Sequence, residues 1–137
     1  MELEALEKWE EILKGFRNLR RLLQREAEKY GYSSTEIQIL YQLHIKPRNI
    51  TELSELIGIG KSSVTEIIEK MEKRNLVKKI KNENDKRYTI IKITEEGEKA
   101  LEQTREEYKK ILSSILERVN AEEVIKFFEE IEKELNR

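Results

Sequence analysis

The chain has 137 residues, the length of one small domain, and 40% of them are charged while 37% are hydrophobic. Cysteine is absent and His44 is the only histidine, which argues against disulfides, thiolate chemistry and a conventional zinc site. The N-terminus is acidic and no apolar run approaches roughly 20 residues, so we expect a soluble, cytoplasmic protein without a membrane partner.

The charge is unevenly distributed along the chain, although the net charge is only −1. Between Lys61 and Lys92 there are ten basic and five acidic residues, whereas from Glu95 onward there are thirteen acidic and eight basic residues. A basic middle segment is typical of a surface that binds nucleic acid, and the acidic C-terminal third is typical of solvated or interchain helices.

Two helices are predicted before residue 47. Apolar residues recur at helical spacing through the first thirty positions, and Gly31 ends this helix. Ser33 and Glu36 have the spacing of a capping box that opens a second helix, which Pro47 closes. His44 falls on or near the apolar face of this second helix, so we expect a core or capping histidine.

The stretch ITELSELIGIGKSSVTEIIEKMEKRNLV has the pattern of a helix-turn-helix. Thr51 is predicted to cap a short helix, and Gly58 to end it in the left-handed conformation. A second helix is predicted from about Lys61, with Asn75 as its C-cap.

A hairpin and two further helices complete the chain. The β-branched segments LVKKI and YTIIKI flank a charged turn and predict an antiparallel pair of strands. Thr94 is expected to cap a long helix over Glu95–Arg118, and Asn120 to open the last one. The apolar stripes of both helices favour a dimer interface or an intrachain core over a cofactor site.

The second helix of the helix-turn-helix presents small polar side chains opposite its apolar face. Such a helix can approach the edges of bases in a major groove, and its N-terminus attracts phosphate. An ordinary amphipathic helix with a solvated charged face would give the same periodicity, so both interpretations remain open. The candidate DNA-contacting residues here are Lys61, Ser62, Ser63, Thr65 and Glu66.

The predicted hairpin tip adds Lys86 and Arg87, the second of which can enter a minor groove. Asp85, two residues before Arg87, can accept a hydrogen bond from the guanidinium and orient it. A solvated turn arginine is the alternative.

The segment DKRYTIIKITEEG, Asp85 to Gly97, resembles the wing of the MarR family of winged-helix transcriptional regulators, and the helix-turn-helix resembles that of the same family. The resemblance implies a mainly α (α+β) fold, a winged helix-turn-helix with long N- and C-terminal dimerisation helices. It places one domain over 1–137, with a winged helix at 33–94 and dimerisation helices at 1–30 and 95–137.

The resemblance also implies a homodimer on a pseudo-palindromic double-stranded DNA operator, Arg87 in the minor groove with Asp85 orienting it, and a ligand pocket between the dimerisation and DNA-binding regions. Three residues depart from the family pattern. Gly60 replaces a frequent serine cap, Asn75 replaces a common glycine, and Glu66 places an acid on the reading face. Glu66 can accept from a cytosine amino group or pair with Lys70, four residues later.

A run without acids lies between Ile12 and Arg25 and includes Arg17 and Arg21. One interpretation is cross-chain pairing with the glutamate-rich C-terminal helices. The other is a subsite for a small anionic or aromatic effector, such as an aromatic carboxylate, with Tyr41 and His44 as further lining residues.

These patterns lead to a homodimeric, sequence-specific transcriptional regulator, most simply a repressor that an effector releases from DNA. An architectural or protein-interaction winged helix, which does not read sequence, is the alternative. We predict no enzyme activity, cofactor or metal, because nothing in the sequence forms a plausible nucleophile and base set.

Overall fold

The computed structural model describes residues 2–82, 84–85 and 88–137. Its elements run in the order α1 (Glu2–Glu28), α2 (Ser34–Ile45), α3 (Ile50–Ile57), α4 (Lys61–Lys73), β1 (Val77–Lys81), β2 (Thr89–Ile93), α5 (Glu95–Leu116) and α6 (Ala121–Leu135). The predicted mainly helical fold with one antiparallel hairpin is confirmed. Among the described residues, none of the helices has the length and apolar character that crossing a membrane would require.

Local caps determine where several helices begin. The predicted capping box of α2 is present, because Ser33 Oγ accepts from Glu36 N–H at 3.0 Å and Glu36 Oε1 accepts from Ser33 N–H at 2.8 Å. The predictions that Thr94 and Asn120 cap α5 and α6 are also confirmed, since Thr94 Oγ1 accepts from Gly97 N–H at 3.0 Å and the Asn120 side chain accepts from Glu123 N–H at 3.3 Å.

The predicted cap of α3 at Thr51 is wrong, because α3 begins two residues earlier. Asn49 is the N-cap, and its side chain accepts from the backbone N–H of Glu52 at 2.8 Å. The Glu52 carboxylate completes the box by accepting from Asn49 N–H at 3.2 Å. Ser54, three residues after Thr51, instead donates its hydroxyl to the carbonyl of Ile59, so it does not reciprocate a cap at Thr51.

The core of the unit that extends to Arg105 forms where the helix-turn-helix meets the sheet. Elements α2, α3, α4, β1 and β2 contribute apolar side chains with less than 2% exposure, among them Ile39, Leu40, Leu53, Val64, Ile68, Met71, Val77 and Ile91. Burying these side chains together fixes the direction of α4 relative to α2 and α3.

His44 is outside this core, so the prediction of a core histidine is wrong. Its side chain is 51% exposed, and its Nδ1 lies 2.7 Å from Glu98 Oε2 on the first turns of α5. The neighbouring Leu43 fills the buried position of this turn of α2, which leaves the imidazole at the edge of the apolar face.

The sheet has a longer hydrogen-bonded edge than the sequence predicts. β1 and β2 pair antiparallel with Val77 opposite Ile93 and Lys79 opposite Ile91. On the other edge of β2, Arg48 N–H donates to Ile91 O at 3.1 Å and Ile91 N–H donates to Arg48 O at 2.8 Å. Arg48, the residue before the N-cap of α3, is therefore tied to the wing by main-chain hydrogen bonds.

The second unit, Glu106–Arg137, contains the C-terminal part of α5 and all of α6. No residue of α6 is buried, and Val124, Ile125 and Phe128 are each between 44% and 56% exposed. The unit therefore presents an uncovered apolar stripe.

Candidate nucleic-acid interface

The turn between α3 and α4 is built from local hydrogen bonds and one glycine. Gly58 has φ +80°, a left-handed conformation that a residue with a Cβ adopts only with strain. Ser54 Oγ donates to the carbonyl of Ile59 at 2.5 Å across this turn. Because Leu53 and Val64 on its two sides are fully buried, the turn fixes the start of α4 firmly.

The two faces of α4 differ as the sequence predicts. Val64, Ile68 and Met71 have 0% exposure. The residues predicted to face DNA are all exposed, and they are Lys61, Ser62, Ser63, Thr65 and Glu66. The N-terminal half of α4 thus offers short hydroxyl side chains and one lysine to solvent, a surface that can approach base edges and phosphates.

Local interactions already occupy two of these side chains. Thr65 Oγ1 donates to the Lys61 carbonyl at 2.9 Å, one helical turn earlier. Glu66 Oε1 lies 3.6 Å from Lys70 Nζ, so the i, i+4 pairing that the sequence allows is present. As expected from the glycine at this position, the Gly60 N-cap provides no side-chain hydrogen bond to the first turn.

At its other end α4 stops at Arg74, which is the C-cap in place of the predicted Asn75. Asn75, the residue after the C-cap, has φ +61°. It therefore adopts the left-handed conformation that asparagine tolerates, as expected, but one position beyond the C-cap. Lys79 Nζ of β1 lies 3.8 Å from Glu72 Oε1, which adds an ion pair between the wing and α4.

The wing is described only in part, because Lys86 and Arg87 lie outside the described residues. Asp85 N–H donates to Asn82 O at 3.2 Å, and Tyr88 N–H donates to Asp85 O at 3.0 Å, so Asp85 lies within a hydrogen-bonded turn. The pairing of Asp85 with Arg87 stays a prediction. Lys78 and Lys92 are directly opposite each other on the exposed face of the strands, which adds positive charge to the wing.

The four residues proposed for an effector are placed in different surroundings. Arg17 lines a cleft of about 410 Å³ between α1 and α2, and the described lining does not include Arg21, Tyr41 or His44. Tyr41 instead lies beneath the guanidinium of Arg105, with 4.5 Å between Cζ and the ring centroid, and His44 pairs with Glu98. A second arginine, Arg20, which was not among the predicted effector residues, also lines the cleft.

The remaining lining of this cleft is mostly apolar, from Leu13, Phe16, Leu19, Leu23, Ser34 and Gln38. Arg17 is predicted because of its place in a basic run. Arg20 belongs to the same run, and helical spacing of three residues from Arg17 would have placed both on one face.

Comparison with known proteins agrees with this geometry. The MarR family model matches residues 32–89, which hold the helix-turn-helix and most of the wing. Over these residues the chain is similar to the MarR family. The predicted resemblance and the winged helix-turn-helix fold are thereby confirmed.

Relatives of the chain include an HTH-type transcriptional regulator of Bacillus subtilis, YwaE, which is uncharacterised. It is 29% identical over 115 residues, which cover 80% of this chain and 66% of the relative. The chain spans between 57% and 66% of the length of the curated relatives that it matches.

Solved structures share the fold over nearly the whole chain. The transcriptional regulator BldR from Sulfolobus solfataricus is 25% identical, with a TM-score of 0.84 and coverage of 96% of both chains. A mutant MarR from E. coli, complexed with operator DNA, is 19% identical, with a TM-score of 0.80 and coverage of 96% of both chains.

Proposed function

We propose that the chain is a homodimeric transcriptional regulator of the cytoplasm that reads a pseudo-palindromic DNA operator, most simply as a repressor released by a small molecule. The observation that carries this proposal is the exposed, small and polar N-terminal half of α4. It lies within a domain of a family that includes a protein solved on operator DNA.

In this proposal, DNA is contacted by two elements, α4 and the wing. Lys61 and the N-terminus of α4 hold phosphate, while Ser62, Ser63 and Thr65 approach base edges in the major groove. Arg87 enters the minor groove, oriented by Asp85. Lys78 and Lys92 contribute positive potential along the wing.

Dimer formation is supported by the uncovered apolar side chains in each unit taken by itself. In the first unit Leu3, Leu6 and Trp9 of α1 are between 40% and 77% exposed. In the second, the stripe of α6 includes Ile125 at 56% exposure. Covering such stripes with a second copy removes apolar area from water, and two-fold symmetry would space two reading helices by about 34 Å.

The dimer can be tested by light scattering after size exclusion. Ile125→Glu places a charge in the stripe and should shift the chain toward monomer. Lys126→Glu, which places the same side chain at the neighbouring exposed position, should leave the mass unchanged. A monomeric parent chain at micromolar concentration would contradict the dimer.

Effector binding is supported by the cleft between α1 and α2, whose volume of about 410 Å³ lies in the range of small-ligand sites. Its apolar wall and the guanidinium groups of Arg17 and Arg20 suit an aromatic carboxylate. Arg17→Gln should abolish release from DNA without reducing DNA affinity, whereas Arg21→Gln should retain release if the cleft is the site. Loss of release in the Arg21 variant alone would move the site elsewhere.

An architectural or protein-interaction role is favoured by one specific observation, the two exposed acids Glu66 and Glu69 on α4. Acids near the groove repel phosphate. Pairing of Glu66 with Lys70 at 3.6 Å reduces this repulsion, which is why we place the regulator first.

The deciding experiment is fluorescence anisotropy with DNA from upstream of the protein's own gene and with a shuffled fragment, at about 50 and 200 mM salt. A regulator binds the first fragment selectively and with a steep salt dependence. Arg87→Ala should then weaken binding by more than about 1 kcal/mol. Equal, weak binding to both fragments, unchanged in Glu66→Gln, would favour the architectural or protein-interaction role.

A further inference from the structure

Arg74, the C-cap of α4, reaches across to the turn that joins α1 and α2. Its Nη2 donates to the carbonyl of Gly31 at 2.8 Å, and its Cζ lies 4.9 Å from the centroid of the Tyr32 ring. Its Nη1 lies 3.6 Å from Glu36 Oε2. One guanidinium therefore makes a hydrogen bond, a cation-π contact and an ion pair with a short segment of the chain. We call Arg74, Gly31, Tyr32 and Glu36 the Arg74 cluster.

The partners of Arg74 are themselves held in place. Gly31 has φ +81° in the turn after α1, and the N–H of Tyr32 donates to Ala27 O at 3.1 Å. Glu36 uses its other carboxylate oxygen in the capping box of α2, and its side chain is only 13% exposed. The guanidinium thus contacts a preformed acceptor surface, which a lysine could satisfy only in part because it has no planar fork.

The position of Arg74 in the chain makes these contacts consequential. The next residue, Asn75, is in the left-handed conformation and its carbonyl accepts from Thr94 Oγ1 at 2.6 Å, just before α5. Two consecutive residues at the end of α4 therefore make contacts on both sides. Arg74 contacts the α1–α2 turn, and Asn75 contacts Thr94 at the base of the wing. The cleft with Arg17 lies between the same two helices, α1 and α2.

We infer that Arg74 is a positioning residue that holds the C-terminal end of α4 against the α1–α2 turn and couples the direction of α4 to that helix pair. The inference rests on the proposed function in so far as α4 reads DNA. Each contact of the cluster is weak by itself at this exposure. Their common geometry restrains the C-terminal end of α4, whose packing against α2 and α3 is already set by the core, so removing the guanidinium should affect selectivity more than general DNA affinity.

Four variants separate positioning from charge. Arg74→Gln removes the cluster, and Arg74→Lys keeps the charge without the fork. Lys73→Gln removes the same charge one residue earlier and leaves the cluster intact. Glu36→Gln removes the ion pair and keeps an oxygen that can accept in the capping box.

The first readout is DNA affinity for the upstream and shuffled fragments. Arg74→Gln should lose about tenfold for the upstream fragment, and Arg74→Lys should lose part of that, while both change little for the shuffled fragment. The salt slope should stay that of the parent. An equal loss on both fragments, with a slope smaller by about 0.9, would identify Arg74 as a phosphate contact and overturn the inference. Adding Glu36→Gln to Arg74→Gln should cost nothing further, since both act through one cluster.

The second readout needs no DNA. Amide hydrogen exchange should accelerate in Arg74→Gln both at Asn75, whose N–H donates to Glu72 O at 2.9 Å, and at Tyr32, on the other side of the cluster. Lys73→Gln should change neither amide. Unaltered exchange at Tyr32 in Arg74→Gln would overturn the coupling, whatever the DNA results.

The two readouts also separate the failure of each idea. A parent chain that does not discriminate between the fragments, with coupled exchange at both amides, removes the proposed function and retains the positioning role. If the parent chain discriminates between the fragments, and Arg74→Gln changes neither DNA affinity nor amide exchange, only the positioning role is removed.

Discussion

Replacement of Gly97 by alanine tests how closely α5 approaches the helix-turn-helix. A Cβ built on Gly97 would collide with the main-chain carbonyl oxygen of Leu76 and would lie 2.7 Å from Ile93 Cγ1. Leu40 Cδ2 is the third neighbour, at 3.2 Å. Gly97 is the final residue of the wing segment that resembles the MarR family, and this crowding is a physical reason for glycine there.

The loss of stability depends on how far the Leu76 carbonyl must shift to admit a Cβ at Gly97. The Leu76 carbonyl accepts from Thr94 N–H at 3.1 Å, so shifting it disturbs the start of α5. Overpacking costs about 1–3 kcal/mol, and leaving a buried polar group unpaired costs about 1–3 kcal/mol more. Alanine gains back roughly 1 kcal/mol of helix propensity over glycine. We therefore expect Gly97→Ala to lower the free energy of unfolding by about 1–5 kcal/mol.

Gly15 provides the matched control, because it also lies inside a helix and a Cβ there would meet nothing within 4 Å. Gly15→Ala should raise the free energy of unfolding by up to about 1 kcal/mol. Urea unfolding followed by circular dichroism, at the same chain concentration for all variants, measures both. If Gly97→Ala were as stable as Gly15→Ala, the close approach of α5 to Leu76 would be refuted.

Three further substitutions test local features by the same unfolding assay. Thr104 Oγ1 is buried and, among the described residues, has no hydrogen-bond partner, so Thr104→Val should stabilise by about 1 kcal/mol; a loss of stability would show that the hydroxyl is bonded. Asn75→Val should destabilise by about 1–2 kcal/mol because φ is +61°, whereas Asn75→Gly should be tolerated; equal stability of the two would contradict the left-handed backbone. Gly60→Ser should add a few tenths of a kcal/mol by capping α4, and no gain would mean that the serine cannot reach the first turn.

Sequence reasoning succeeded where the determining interactions are local. The caps at Ser33 and Asn120 and the left-handed Gly58 depend on residues within a few positions, which a reader of the sequence can see together. The predicted cap at Thr51 was wrong because two capping patterns lie close together in this stretch of the sequence. Asn49 prevailed because its partner Glu52 reciprocates.

The site was harder to predict where partners are distant in sequence. Arg74 and Gly31 are 43 positions apart, and His44 and Glu98 are 54 positions apart. Periodicity assigns a residue to a face but does not identify what that face meets. The exposed face of α4 was therefore predictable, whereas the Arg74 cluster and the pairing of His44 required the folded chain.

The bridge between Arg48 and Ile91 has a consequence for how sequences of this fold can change. Both of its hydrogen bonds are made by main-chain atoms, so the attachment of the wing to the start of α3 does not depend on the side chains at these two positions. Only proline, which lacks the N–H, would remove one of the bonds directly. The exposed side chains of α4 and of the wing can therefore be varied separately, because the main-chain bridge holds the wing to the start of α3 whatever those side chains are.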